Sequence, residues 1–179
     1  MSQIDKRKLE EWYDAHSDAV FKYICMMTRD YQQSEDLTQE TFIRAYRAYD
    51  TFERKAETRT WLFRIAHNVT VDYLRKNKPL RMLESFLLNK KDTSLPPEDI
   101  LEMKESIKQI YKALGNLKAT YREVIILRKI KEFSITQTSE ILGWSENKVK
   151  VTLHRALPLL QKELDKEDFL YEKTTRRIR

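Results

Sequence analysis

The stretch Phe133–Leu157, FSITQTSEILGWSENKVKVTLHRAL, decides the fold. Ser134 and Gln137 stand at capping-box spacing before an apolar-periodic run, so a helix is expected to start there. Gly143 follows as a residue that tolerates φ > 0 in a sharp turn. Ser145 is expected to cap a second helix. Ser139 is small enough for close helix packing, and Val149 and Leu153, at i and i+4, are expected to face inward and lock the pair. The span therefore reads as a helix-turn-helix. Its second helix leaves Lys148, Lys150, Val151, Thr152, His154 and Arg155 outward or flanking. Such side chains reach phosphates and major-groove base edges. Taken alone, the span also fits a structural hairpin with a charged face. Pro158 removes a helical donor, so the second helix is expected to kink or end near Ala156.

Working outward, composition removes whole classes of function. Gly115 and Gly143 are the two glycines among 179 residues. A Gly-rich phosphate loop cannot be written with them, and hairpin-rich β folds are disfavoured. The single cysteine, Cys25, excludes a disulfide framework and a multi-cysteine zinc site. His16, His67 and His154 show no ligand spacing, so neither a metal nor another cofactor is expected. No nucleophile–base pair appears, and an enzyme is not expected. The longest apolar run, Tyr23–Met27, is far short of the ~20 residues of a membrane span. The opening MSQIDKRKLEEWYDAH lacks the apolar region of a signal peptide. The expectation is a soluble, cytoplasmic, all-α protein without direct membrane insertion.

The formal charge of +6 is unevenly placed. Residues 1–76 hold 13 basic and 13 acidic residues, whereas residues 106–179 hold 16 and 9, a net +7. Such asymmetry suggests an anionic partner for the C-terminal part, although a solvated basic surface reads the same way. Apolar periodicity predicts a helix over 5–30, and Ser34 is expected to cap a second one running to about Tyr49. A third is expected over 58–76, with Leu62, Ala66, Val69 and Tyr73 on one face. Pro79, Pro96 and Pro97 punctuate residues 77–97, the best linker candidate, whose LRMLESFLL could form a short helix. Pro97 then opens a helix ending at Gly115. Two small helical domains are expected, 1–76 and 98–170, joined by a flexible linker over 77–97 and followed by a tail over 171–179.

Two N-terminal blocks carry candidate chemistry. Residues 52–76 interleave aromatic and basic side chains, including Phe52, Arg54, Lys55, Trp61 and Arg64. Exposed rings can stack unpaired bases while Lys and Arg follow the backbone. Trp61, paired with Ile65 at i, i+4, fits a core position as well. The block SEDLTQETFIRAYRAY puts Glu35, Asp36, Gln39 and Glu40 on one helix with no histidine or nucleophile beside them. An acidic face of this kind suits a basic partner, or simply water.

The blocks SEDLTQETFIRAY, TWLFRIAHNVTVDYLRK and REVIILRKIKEFSITQTSEILGWSENKVKVTLHRAL, in this order, resemble bacterial extracytoplasmic-function (ECF) RNA polymerase sigma factors over about residues 5–165. The resemblance implies a factor that binds core RNA polymerase, through its β′ and β subunits, and starts opening of promoter DNA. It implies polymerase docking by Asp36, Gln39, Glu40 and Arg44. It places Phe52, Arg54, Lys55, Trp61, Arg64 and Asn68 in or near the −10 element site. It places Lys148, Lys150, Val151, Thr152, His154 and Arg155 at the −35 element. Many members carry Arg where Thr152 stands and Thr where Lys148 stands, so the −35 preference does not transfer. The resemblance also implies an anti-sigma factor, often membrane-bound, that masks both domains. A stand-alone helix-turn-helix regulator, binding duplex DNA without polymerase, is the alternative.

Overall fold

Leu62, Ala66 and Val69 recur every three or four residues and are all buried, so one face of their helix is committed to a core. That helix is the third of those seen in a computed structural model, which describes residues 3–49, 57–88 and 105–177. Among the described residues run α1 (Gln3–Thr28), α2 (Tyr31–Arg47), α3 (Thr58–Leu88), α4 (Glu105–Gly115), α5 (Ala119–Ile125), α6 (Ile135–Leu142) and α7 (Glu146–Arg177). A π-helical turn, Ile126–Ile130, extends α5. No strand occurs among them, as the all-α expectation requires.

Helices α1, α2 and α3 pack pairwise into one domain. Its interior is Val20, Tyr23, Ile24 and Met27 of α1, Leu37, Phe42 and Ala45 of α2, and the α3 face. In the second domain α7 packs against α4, α5 and α6. Its interior holds Leu114, Val124, Ile125, Leu127, Ile141, Leu142 and Ala156. The two domains are not held apart. Helix α6 lies against α3, α4 and α5 touch α1, and one cluster of buried side chains runs through both.

Several boundaries differ from expectation. The cap of α2 is Asp30, whose Oδ1 accepts the Gln33 N–H at 3.0 Å, not Ser34. Arg29 turns the chain at φ 61°, bringing Asp30 into the capping position. Ser34 lies buried inside the helix and donates back to the Asp30 carbonyl at 2.5 Å, the i−4 bond that helical serines make. Pro79 does not end α3, which runs on to Leu88 at the loss of one ladder bond, so the first half of the expected linker is helical. The rest of that linker and the expected start at Pro97 lie outside the described residues. Pro158 does not end α7 either. Pro158 and His154, whose carbonyl it orphans, are both exposed, so water can take the lost bond.

Candidate nucleic-acid interface

The helix-turn-helix forms as its sequence demands. Ser134 Oγ accepts the Gln137 N–H at 3.0 Å, and Gln137 Oε1 accepts the Ser134 N–H at 2.8 Å. Two of the orphan donors at the start of α6 are thus satisfied reciprocally. Gly143 sits in the left-handed region at φ 64°, ψ 33°, and its N–H returns to the Ser139 carbonyl. A Cβ there would meet nothing within 4 Å, so the position needs glycine for its backbone and not for space. Ser145 Oγ accepts the Lys148 N–H at 3.2 Å and starts α7.

From behind, α7 is fixed by fully buried Val149 and Ala156, with Leu153 packed on the same core. Lys148, Lys150, Val151, His154 and Arg155 are consequently exposed, and Thr152 sits half-buried at the flank. Two of the cations are oriented. Lys148 Nζ lies 4.0 Å from the Trp144 ring centroid, a cation–π contact. Lys150 Nζ lies 3.8 Å from Glu146, which itself accepts the Thr136 hydroxyl at 2.6 Å across the turn. Asn147 was missed. It is exposed on the outward face, at i, i+4 with Val151 and i, i+7 with His154. Asn is the side chain that pairs bidentately with adenine. The spacing was available to find it.

On α3, Trp61, Arg64 and Asn68 stand at i, i+3 and i+7, one helical stripe. Arg64 and Asn68 are exposed. Trp61 is half-buried, packed against the core and edge-on to Trp12 at 5.9 Å. Trp12 in turn meets Tyr49 at 5.4 Å. Phe52, Arg54 and Lys55 lie outside the described residues.

On α2, Asp36, Gln39 and Arg44 are exposed, while Glu40 is half-buried and holds Arg44 Nε at 2.7 Å. Composition hid the centre of this face. Ile43 and Tyr46 are 44% and 46% exposed, and Ile43 stands at i+7 from Asp36 and i+3 from Glu40. Exposed apolar anchors ringed by charge are typical of a protein-binding surface. Among the described residues, no group of acidic, histidine or cysteine side chains could hold a metal ion, and no helix is long and apolar enough to cross a membrane.

A helix-turn-helix with a basic outer face is thus joined to a three-helix domain with an acidic-apolar face, a two-domain arrangement suited to meeting DNA and a protein partner. The chain matches the model of sigma-70 region 2 over residues 12–79 and that of sigma-70 region 4 over residues 107–160. It is 37% identical over 158 residues to the ECF RNA polymerase sigma factor SigX of Bacillus subtilis strain 168, across 86% of this chain and 81% of that protein. It is 31% identical over 169 residues to SigW of the same organism, across 89% and 90%. Its fold is similar to that of the sigma factor RpoE, seen in a co-crystal structure with the anti-sigma factor NepR from Bartonella quintana. That match has a TM-score of 0.74 at 24% identity and covers 89% of this chain and 98% of that one. The chain belongs to the ECF RNA polymerase sigma factors. It serves transcription initiation, binding core RNA polymerase and promoter DNA.

Proposed function

We propose that three faces of this sigma factor divide the work of initiation. Helix α7 reads the −35 element through Lys148, Lys150, Val151, Thr152, His154 and Arg155, joined by Asn147. The α3 stripe of Trp61, Arg64 and Asn68, with Phe52, Arg54 and Lys55 of the preceding segment, takes the −10 element. There an unstacked base costs a few kcal/mol to extrude, which ring stacking and cationic contacts offset. Asp36, Gln39, Glu40 and Arg44, with Ile43 and Tyr46 as anchors, dock on β′ of the polymerase, and the C-terminal domain meets β. The protein performs no catalytic step of its own and works in the cytoplasm beside the polymerase. An anti-sigma factor holds it in reserve.

One observation carries the reading. The outer face of α7 is exposed while its back is locked by Val149 and Ala156, so a rigid helix is presented to a groove. Run-off transcription with purified core polymerase on promoter templates tests it. Specific initiation dependent on the added chain is expected. Absence of both core binding and specific initiation would sink it, and tight duplex binding without polymerase would favour the stand-alone regulator.

A further inference from the structure

Three aromatic rings meet at one end of the N-terminal domain. The Trp12 ring of α1 lies 5.4 Å from the Tyr49 ring, tilted at 41°, and 5.9 Å from the Trp61 ring, edge-on at 71°. Tyr49 follows the end of α2, where the Ala48 N–H closes the helix on the Arg44 carbonyl at 3.0 Å. Trp61 sits in the first turn of α3, and its N–H donates to the Glu57 carbonyl at 3.1 Å. One indole therefore pairs with the last described residue before residues 50–56 and with the first ring after them.

This is not the placement of an ordinary core side chain. Val20, Ile24 and Leu62 in the interior are closed to solvent, whereas Trp12, Tyr49 and Trp61 are all half-buried. Trp61 shares its stripe with exposed Arg64 and Asn68, so the surface its ring keeps belongs to that face. Aromatic pairs prefer edge-on or offset geometry to a face-to-face sandwich, so the 71° contact fixes the plane of the Trp61 indole as well as its place. First turns of helices fray, and a ring carried there needs support from outside its own helix to hold one plane. Both outer rings lie within 5.9 Å of Trp12. The ends of a segment able to span roughly 28 Å when extended thus meet on one side chain.

We propose that Trp12 is a positioning residue for promoter opening. Its ring ties the end of α2 to the start of α3 and holds the Trp61 indole in the plane at which an extruded base of the −10 element meets it. A stacking surface set before the base arrives leaves less to be ordered at the moment of extrusion. The inference rests on the −10 assignment proposed above. It adds a requirement which that assignment does not contain. A side chain outside the DNA face, on a different helix, sets the rate of opening without setting affinity for polymerase or for the −35 element.

The test uses the full chain in holoenzyme, on a promoter selected by run-off transcription with the parent. A 2-aminopurine base in the −10 element reports opening in stopped flow. Trp12→Leu keeps apolar volume and removes the ring. It is expected to slow opening of the bound complex about tenfold, the share of two ring pairs, with core and closed-complex affinities unchanged. Trp12→Phe supplies a ring again and is expected to recover most of the rate. Val20→Ala, in the closed interior of the same helix, controls for lost stability and is expected to lower Tm without slowing opening. Should Trp12→Leu fail to fold, Tyr49→Leu removes one pair and is expected to slow opening about threefold. Parent-rate opening in Trp12→Leu or in its substitute, equal slowing in Val20→Ala, or no recovery in Trp12→Phe would each overturn the positioning role. The −10 reading fails differently, by parent-rate opening in Arg64→Ala and Phe52→Ala.

Discussion

Gly143→Ala isolates one physical quantity. The residue sits at φ 64°, and a Cβ built there has no neighbour within 4 Å. No steric clash contributes, so the cost is the left-handed conformation itself, about 1–2 kcal/mol for an L-residue with a side chain. For a chain of this length each kcal/mol moves Tm by about 2–4 °C, giving an expected fall of about 2–8 °C. Asn tolerates this conformation better than Ala, so Gly143→Asn should melt between the parent and Gly143→Ala. Gly115→Ala is the control. Its Cβ would lie 2.6 Å from the Arg29 guanidinium, but the residue is not left-handed and the obstacle is the end of a flexible side chain. Arg29 swings away, helix propensity gains ~0.5–1 kcal/mol, and little net change is expected. Thermal melts by circular dichroism rank the four proteins. A Gly143→Ala variant melting within about 1 °C of the parent, or a Gly143→Asn variant melting below Gly143→Ala, would refute the reasoning.

Ile43→Asp places a charge in the centre of the α2 face. If Ile43 is an interface anchor worth about 2 kcal/mol, core-polymerase affinity falls about thirtyfold in a titration while helicity is unchanged. Lys148→Ala and Arg155→Ala should each lower the slope of log affinity against log salt by about 0.9, one phosphate's share. Anisotropy of the holoenzyme on promoter duplex reads it, and an unchanged slope removes that residue from the phosphate contacts. Lys131 is pushed down to about 8, first by burial, then by Lys22, with Asp18 opposing and Arg59 adding to the fall. Those three neighbours belong to the other domain. Below about 8 the docked form carries the buried charge in full. Between about 8 and the ordinary 10.5 it sheds the proton first, so docking strengthens as pH rises. Energy transfer between dyes placed at Arg75→Cys and Gln161→Cys, exposed positions in the two domains, should therefore increase from pH 8 to 10, and Lys131→Met should flatten that rise.

What was legible in the sequence was local. Ser134, Gln137, Gly143 and Ser145 act within four residues of themselves, and each forms the bond its spacing implied. The α3 core face was equally readable because a helical period needs no partner to be seen. The misses are of two kinds. Arg29 and Glu132 adopt φ 61° and 59° without glycine's help, so the turns they make carry no sequence signal, and the α2 cap was placed four residues late. Tyr23, His67 and Glu123 look like ordinary helical residues, 100 and 56 positions apart, and only the packed structure brings them to one oxygen.

The charge count shows the same limit in another form. A net +7 over residues 106–179 suggested an anionic partner, or a solvated basic surface. Part of that cation content is spent inside the protein. Arg122 serves four carbonyls, Arg128 Nη1 donates to the Phe133 carbonyl, and Lys131 lies half-buried against the other domain. Guanidinium groups suit this task, because one planar fork satisfies several carbonyls at helix ends that would otherwise go unpaired. On the exposed face of the first turns of α7, residues 146–156, the permanent cations are Lys148, Lys150 and Arg155, and Lys150 is already shared with Glu146. The −35 share of the salt dependence should thus follow about three phosphates, a slope near −3. Net charge sets how strongly DNA is approached from a distance. Those three side chains are expected to set what is held on contact.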